Sequence, residues 1–134
     1  MGMEQKIAQF FTSDAYAVVG ASNDRNKFGN KVLRCYLQHH KNVYPVHPSE
    51  MIVEGVAAVN AVSHLPDTVK SISIVTPPPV TEKIIAEAIA RGIENLWIQP
   101  GAESRKAMDE ALQHGLNVIG GGPCILVALG CAVE

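Results

Sequence analysis

The sequence has little net charge, few cysteines and no long apolar run. A net charge of -2 at pH 7 provides no concentrated basic face, so we expect neither duplex nucleic acid nor an anionic membrane as a partner. No apolar run approaches the roughly 18 residues that a membrane-spanning helix needs. The first residues, MGMEQKIAQFF, also lack the basic region and apolar stretch of a secretory signal. We therefore expect a soluble protein.

The cysteines are few and do not form a recognisable motif. Cys35, Cys124 and Cys131 make an odd set without CxxC spacing. This pattern predicts neither a disulfide framework nor a zinc site. Thiols of this kind are typical of a reducing compartment, so we expect the protein to be cytoplasmic and to hold no metal.

The length and composition are those of one domain with a single buried core. The chain has 134 residues, of which 47% are hydrophobic, and we predict one domain over residues 1–134. Short apolar runs recur along it, and most are rich in the β-branched residues that favour strands. Five runs are predicted to be strands: AYAVVG (15–20), NVYPV (42–46), SISIV (71–75), NLWI (95–98) and LNVIG (116–120).

Helical patterns separate most of these strands. Pro78 and Pro79 suit a first helical turn, which does not need their missing amide hydrogens, and Gly92 and Gly115 suit left-handed helix ends. Residues 54–68 interrupt the alternation, with a short helical turn predicted at SHLPD. The order predicts a doubly wound α/β fold with a mostly parallel, five- or six-stranded Rossmann-like sheet. Three apolar helix faces are predicted: Phe28, Val32, Tyr36 and Leu37; Val80, Ile84, Ile85, Ala88 and Ile89; and Ala107, Met108, Ala111 and Leu112.

The loop after the first strand, GASNDRNKFG (20–29), lies where such sheets bind ligands, beyond the strand carboxyl ends. Gly20, Ala21 and Ser22 have small side chains, so their backbone amides can approach a phosphate closely. Ser22 adds a hydroxyl, and Arg25 and Lys27 add positive charge. One interpretation is an anion-binding loop. The other is a tight strand-to-helix turn beside two solvated cations.

The end of the second strand disfavours a nicotinamide dinucleotide. It has His47 where such enzymes place a carboxylate for the ribose, and the loop glycines do not follow GxGxxG spacing. His47 could contact a phosphate or a ribose hydroxyl, or it could hydrogen-bond to backbone as an ordinary strand-end residue. Pro48 fixes the turn under either interpretation.

Two further turns end strands at the same edge of the sheet. Thr76, Pro77 and Pro78 present a stiff apolar wall, and the prolines equally suit the start of a helix. After the fourth strand, Gln99 could hydrogen-bond to a ligand amide, and Gly101 lets the backbone turn. A turn without any ligand would explain Gly101 equally well.

We find no nucleophile with a base, no metal cluster and no paired carboxylates, and we therefore predict no catalytic residue. Trp97 belongs to an apolar strand run and is predicted to pack in the core. The remaining four histidines are predicted to be solvated at helix ends and turns: His39, His40, His64 and His114.

Five segments together resemble the small stand-alone CoA-binding proteins, which are similar to the CoA-binding domain of the succinyl-CoA synthetase α subunit. They are VVGAS (18–22), KFGNKV (27–32), VYPVHP (43–48), VTPPPV (75–80) and LWIQPGAES (96–104). The resemblance implies that residues 20–22 meet the diphosphate of coenzyme A (CoA) and that Arg25 and Lys27 serve its phosphates. It also implies contacts with the ribose 3′-phosphate and adenosine from Val46, His47 and Pro48, and with the adenine and pantetheine from Thr76, Pro77 and Pro78.

The chain departs from the resembled family at two places. His47 stands where the family usually has Asn, and the usual Asp-Arg-Cys stretch is replaced by GGGPC, which retains only Cys124. With CoA in the crevice, Cys124 could form a mixed disulfide with the CoA thiol. Alternatively, it is a small buried apolar residue, as free cysteines commonly are.

The resemblance implies a cytoplasmic protein that binds CoA or an acyl-CoA without catalysis of its own. The related ligase carries its phosphorylated histidine in a different domain, which is not found in these residues. Two alternatives stay open: a CoA-binding subunit of a CoA ligase or transferase that needs a partner chain, and a regulatory or scaffold module with a degenerate nucleotide pocket. A homo-oligomer is compatible with each of them.

Overall fold

Strands and helices alternate through residues 2–131, which are the residues that the computed structural model describes. The helices are α1 (Met3–Phe10), α2 (Phe28–Gln38), α3 (Pro78–Arg91), α4 (Arg105–Gln113) and α5 (Ile125–Leu129). The strands are β1 (Ala15–Val19), β2 (Val43–Val46), β3 (Ile52–Val53), β4 (Val56–Ala57), β5 (Val69–Ile74), β6 (Asn95–Ile98) and β7 (Asn117–Ile119). A single 3-10 turn at Val62–His64 provides the short helical turn predicted at SHLPD.

Five strands form one parallel sheet in the order β2-β1-β5-β6-β7. This confirms the predicted α/β Rossmann-like fold, and each predicted strand lies within two residues of its position. The chain moves from β1 to β2 on one side and then returns to β5 on the other. The carboxyl ends of β1 and β5 therefore form the switch point at which such sheets bind ligands. The small antiparallel hairpin of β3 and β4 was not predicted.

The two faces of the sheet carry two separate cores. Along β1, Ala15, Ala17 and Val19 belong to the core that includes buried residues of α3 and α4. Tyr16 and Val18 belong to the opposite core, together with buried residues of α1, α2 and α5. All five β1 residues are buried, so this strand has no solvent-facing side. That explains its continuous apolar run.

Helix ends follow the predicted chemistry, whereas three predicted core positions do not. Pro78 is the first residue of α3, and Gly92 ends that helix with φ of +84°. Gly115 also has positive φ. Phe28, Val80 and Leu112, each predicted on an apolar helix face, are exposed. Trp97 is fully buried as predicted, and its ring packs edge-to-face on Phe10.

The prediction that the cysteines form no disulfide is wrong. Cys35 on α2 is bonded to Cys131, which follows α5, with a Cα–Cα distance of 5.9 Å. The two residues are 96 positions apart in the chain, so no local spacing signals the bond. They meet because α2 and α5 pack against each other on the same face of the sheet. Cys124 is free.

The helices are short compared with the thickness of a bilayer. Within residues 2–131, none is both long enough and apolar enough to cross a membrane, and α3 has 14 residues.

Candidate functional site

A groove follows the carboxyl ends of β2, β1, β5 and β6, and it has two parts. A part of about 370 Å³ is bordered by the β1 loop and the end of β2, and a part of about 510 Å³ is bordered by the ends of β5 and β6. Phe28, Val75, Thr76 and Pro77 line both parts. The two parts therefore adjoin along these four residues, and we call them together the strand-end groove.

Two glycines bring the β1 loop against neighbouring backbone. Gly20 has φ of +93°, and a Cβ atom there would lie 2.2 Å from the carbonyl oxygen of Val75. A Cβ atom on Gly29 would lie 1.9 Å from the carbonyl oxygen of Gly20. Only glycine fits at either position, since real Cβ contacts are longer than these distances. Together the glycines fix the start of α2 against the loop.

The loop presents hydrogen-bond donors to the smaller part of the groove. Gly20, Ala21 and Ser22 line it. The Ser22 hydroxyl accepts a hydrogen bond from the Asp24 amide at 3.0 Å, which keeps the hydroxyl hydrogen for donation elsewhere. The backbone hydrogen bonds of α2 begin with the amides of Asn30 and Lys31, which donate to the Lys27 carbonyl, so the amides of Phe28 and Gly29 precede them. The helix dipole adds positive potential at the same end. This part of the groove therefore favours an anion.

The two cations proposed for this loop take different positions. Lys27 lies immediately before α2, is exposed and lines the groove. Arg25 does not line it. Its guanidinium instead donates to both carboxylate oxygens of Glu54, at 2.9 and 3.3 Å. The structure thus brings Lys27 to the smaller part of the groove and places Arg25 in a contact that the sequence did not predict.

Glu54 joins the β3–β4 hairpin to the β1 loop. Its carboxylate also accepts a hydrogen bond from Asn30 at 2.9 Å, and its amide donates to Asn23 at 3.0 Å. Hydrogen bonds from Arg25 and Asn30 lower the pKa of Glu54 from 4.5 to about 2. The carboxylate therefore stays charged near neutral pH and holds the hairpin beside the loop.

His47 both hydrogen-bonds to the backbone and lines the groove, so its two predicted roles do not exclude each other. Its Nδ1 accepts hydrogen bonds from the amides of Ser49 and Glu50, at 3.1 and 2.9 Å. This is the backbone-bonded interpretation. In the neutral ring the hydrogen then lies on Nε2. Because His47 also lines the groove beside Val46 and Pro48, its ring can offer a donor to a ligand.

The larger part of the groove is mostly apolar. Phe28, which is 52% exposed, forms one border, and Pro77 and Pro100 form others. Gly101 turns the backbone there with φ of +94°. Pro78 begins α3 and, unlike Thr76 and Pro77, lines neither part of the groove. Such a surface suits a neutral chain better than a charged group.

Gln99 and Cys124 also line this apolar part. Gln99 is 3% exposed, its Oε1 accepts from the Ile125 amide at 2.8 Å, and its Nε2 donates to the Cys124 Sγ at 3.4 Å. The expected role of Gln99 as a ligand partner therefore competes with bonds inside the protein. Cys124 is partly buried and lines the groove. Its reaction with a thiol ligand stays a prediction.

The sequence reasoning missed several lining residues. The sequence predicts Phe28 on an apolar helix face and gives no functional role to Val75, Pro100 or Ala102, yet all four line the larger part. Their only signal is position at the ligand edge: Val75 directly follows β5, Phe28 begins α2, and Pro100 and Ala102 lie in the turn between β6 and α4. The four remaining histidines lie outside the lining of both parts.

A comparison with known protein families bears on the ligand of the strand-end groove. Residues 14–130 match the family model described as a CoA binding domain. This chain belongs to that CoA-binding family. The resemblance stated from the sequence is thus confirmed at the level of the family.

Relatives and solved structures of the family span different lengths. The α subunit of ADP-forming acetate-CoA ligase II from Pyrococcus furiosus is 30% identical over 122 residues, which are 83% of this chain and 27% of the subunit. A conserved hypothetical protein from Pyrococcus furiosus is 36% identical with a TM-score of 0.81, over 85% of this chain and 97% of its own. Acetyl-coenzyme A synthetase 1 of Ca. Korarchaeum cryptofilum is 27% identical with a TM-score of 0.76, over 85% of this chain and 27% of its own. The chain therefore spans about a quarter of the length of these ligases.

Proposed function

We propose that this domain binds CoA along the strand-end groove and performs no catalysis by itself. The nucleotide lies on the β1 loop beside Lys27 and His47, and the pantetheine arm lies in the apolar part that ends at Cys124. One observation carries this proposal: the smaller, polar part and the larger, apolar part adjoin, because Phe28, Val75, Thr76 and Pro77 line both.

The polarity of the groove supports this orientation of the ligand. CoA combines a charged nucleotide with a long, mostly neutral arm that ends in a thiol. Backbone amides and the Lys27 ammonium suit the charged half, because oriented amides and a cation stabilise phosphate. The prolines and Phe28 suit the arm, because they remove apolar atoms from water without demanding hydrogen bonds.

A calorimetric comparison of CoA, dephospho-CoA and pantetheine tests the proposal. We expect Lys27→Ala to lower the affinity for CoA about five- to tenfold. This corresponds to roughly 1 kcal/mol of binding free energy, as for the loss of one charge-assisted hydrogen bond. If Lys27 contacts the 3′-phosphate, dephospho-CoA and pantetheine should lose less. Lys83→Ala is the matched control, because Lys83 is exposed on α3 and does not line the groove.

These measurements test separately whether Lys27 contacts the 3′-phosphate and whether the groove binds a nucleotide at all. Equal losses for all three ligands would reject contact between Lys27 and the 3′-phosphate. No measurable binding of CoA, acetyl-CoA, NAD or ATP to the unmodified protein would reject the nucleotide site itself. That outcome would favour a regulatory or scaffold module.

A second candidate function is a CoA-binding subunit of a larger ligase. The observation that favours it is the match to a ligase α subunit of which this chain covers 27%. Such a subunit would need catalytic residues from another chain. Native purification followed by mass spectrometry tests the idea, with a stoichiometric partner chain as the expected result and the protein alone as the opposing result.

A further inference from the structure

Three side chains of types that can bind a metal meet at the carboxyl end of α2, away from the strand-end groove; Cys35 is buried, Cys131 is partly buried and His39 is exposed. Cys35 and His39 are four residues apart, so they lie on one face of the helix end. Cys131 reaches the same place from the segment after α5. The ligand atoms of these three residues lie within 4.8 Å of one another.

The backbone holds this arrangement from both sides. The Cys131 amide donates to the Leu126 carbonyl at 2.8 Å, which fixes the end of the α5 segment. The His39 ring lies with Nδ1 3.0 Å from the Cys35 carbonyl oxygen and 3.7 Å from the Cys131 Sγ. A disulfide needs only two sulfur atoms. The imidazole beside them supplies a third ligand that the disulfide does not use.

We propose that Cys35, His39 and Cys131 form a binding site for a thiophilic divalent cation, with Zn²⁺ the best match, when the disulfide is reduced. A dithiol or phosphine reductant supplies two electrons, the S–S bond breaks, and each sulfur takes up a proton. The cation then displaces both protons and binds two thiolates and the imidazole. Thiolate and imidazole ligands are the set that zinc prefers, and a fourth position is left for water.

The surrounding charges are compatible with this chemistry. Lys31 and Arg34 lie beside the two cysteines at the surface. Two thiolates and one divalent cation are neutral together, so the bound site does not repel these side chains. Arg34 also donates to Asn30 at 2.7 Å, and the Lys31 ammonium lies 5.4 Å from the centre of the Phe28 ring.

Cobalt titration of the whole protein tests the site, because thiolate-bound Co²⁺ has a charge-transfer absorption band. The protein is reduced with a phosphine without oxygen, freed of reductant and titrated with cobalt chloride. We expect one equivalent to bind with this band, and zinc chloride to displace it. The oxidised protein should show no band, and this comparison needs no variant.

Matched variants identify the ligands. His39→Asn should lower the affinity for cobalt at least about tenfold. Even the loss of a residue that only hydrogen-bonds to a metal ligand lowers metal affinity by about that factor. His40→Asn is its control, because His40 has φ of +56° and asparagine tolerates that conformation. Cys131→Ser should abolish the band and Cys124→Ser should keep it. A reduced protein without the band, or equal affinity in His39→Asn, would overturn the proposal.

Discussion

Gly29→Ala should destabilise the protein and weaken CoA binding at the same time. Gly29 is buried in the first turn of α2. Its added Cβ would lie 1.9 Å from the Gly20 carbonyl oxygen and 2.9 Å from the Gly20 carbonyl carbon. An ordinary contact begins at 3.4 Å. Both obstructing atoms are backbone, so neither can rotate away, and the β1 loop and the start of α2 must separate.

The size of the effect follows from two opposing contributions. At an open helical position, glycine to alanine stabilises a protein by about 0.5–1 kcal/mol. Forcing an extra methyl group into packed surroundings costs about 1–3 kcal/mol. We expect the steric term to exceed the helical gain, giving a net loss of about 1–2 kcal/mol. Because residues 20–22 shift with the loop, the affinity for CoA should fall at least about tenfold.

Urea unfolding and calorimetry with CoA measure the two effects. Gly92→Ala is the control, since its Cβ would meet nothing within 4 Å and Gly92 ends α3 away from the groove. Its φ of +84° should cost alanine about 1 kcal/mol of stability without changing CoA affinity. If Gly29→Ala is as stable as the parent and binds CoA equally well, the close approach of α2 to the β1 loop does not shape the site.

Two other predictions concern the neighbours of the groove. The Glu54 pKa is about 2 in the folded protein against 4.5 ordinarily, so its stabilisation is complete above about pH 4.5 and is lost as the pH falls toward 2. Glu54→Gln should remove about 1 kcal/mol of pH dependence from urea unfolding between pH 5 and 3, and exposed Glu50→Gln should not; equal pH profiles for parent and Glu54→Gln would contradict this. The free energy of unfolding of His47→Asn should lie within about 0.5 kcal/mol of that of the parent, because an asparagine oxygen can accept hydrogen bonds from the same two amides. The free energy of unfolding of His47→Leu should be about 1 kcal/mol lower. Equal stability of the two His47 variants would contradict the role of Nδ1.

The architecture could be predicted from sequence because its signals are local. A strand buried on both faces requires a continuous apolar run, and β1 and β6 show it. Pro78 and Gly92 mark the two ends of α3 for reasons within their own backbone. The β3–β4 hairpin escaped prediction because its strands have two residues each, too few to show an alternating pattern.

The site could be predicted only in part. The order of strands places the β1 loop at the edge where such sheets bind ligands, and the small residues after β1 predict an anion-binding loop there. The fate of Arg25 depends on Glu54, which is 29 positions away. Composition alone does not show whether an arginine forms an ion pair with a carboxylate. The fold decides between them by bringing the hairpin to the loop.

The cysteines also show that local spacing cannot reveal contacts between residues far apart in the chain. Spacing rules such as CxxC recognise ligands that neighbouring residues supply, because a short turn fixes their distance. Cys35 and His39 satisfy such a rule through helical geometry, as residues four apart. The third member, Cys131, enters only because α5 packs on α2. A search for chemistry in this fold therefore has to compare residues that share a surface, whatever their separation in the chain.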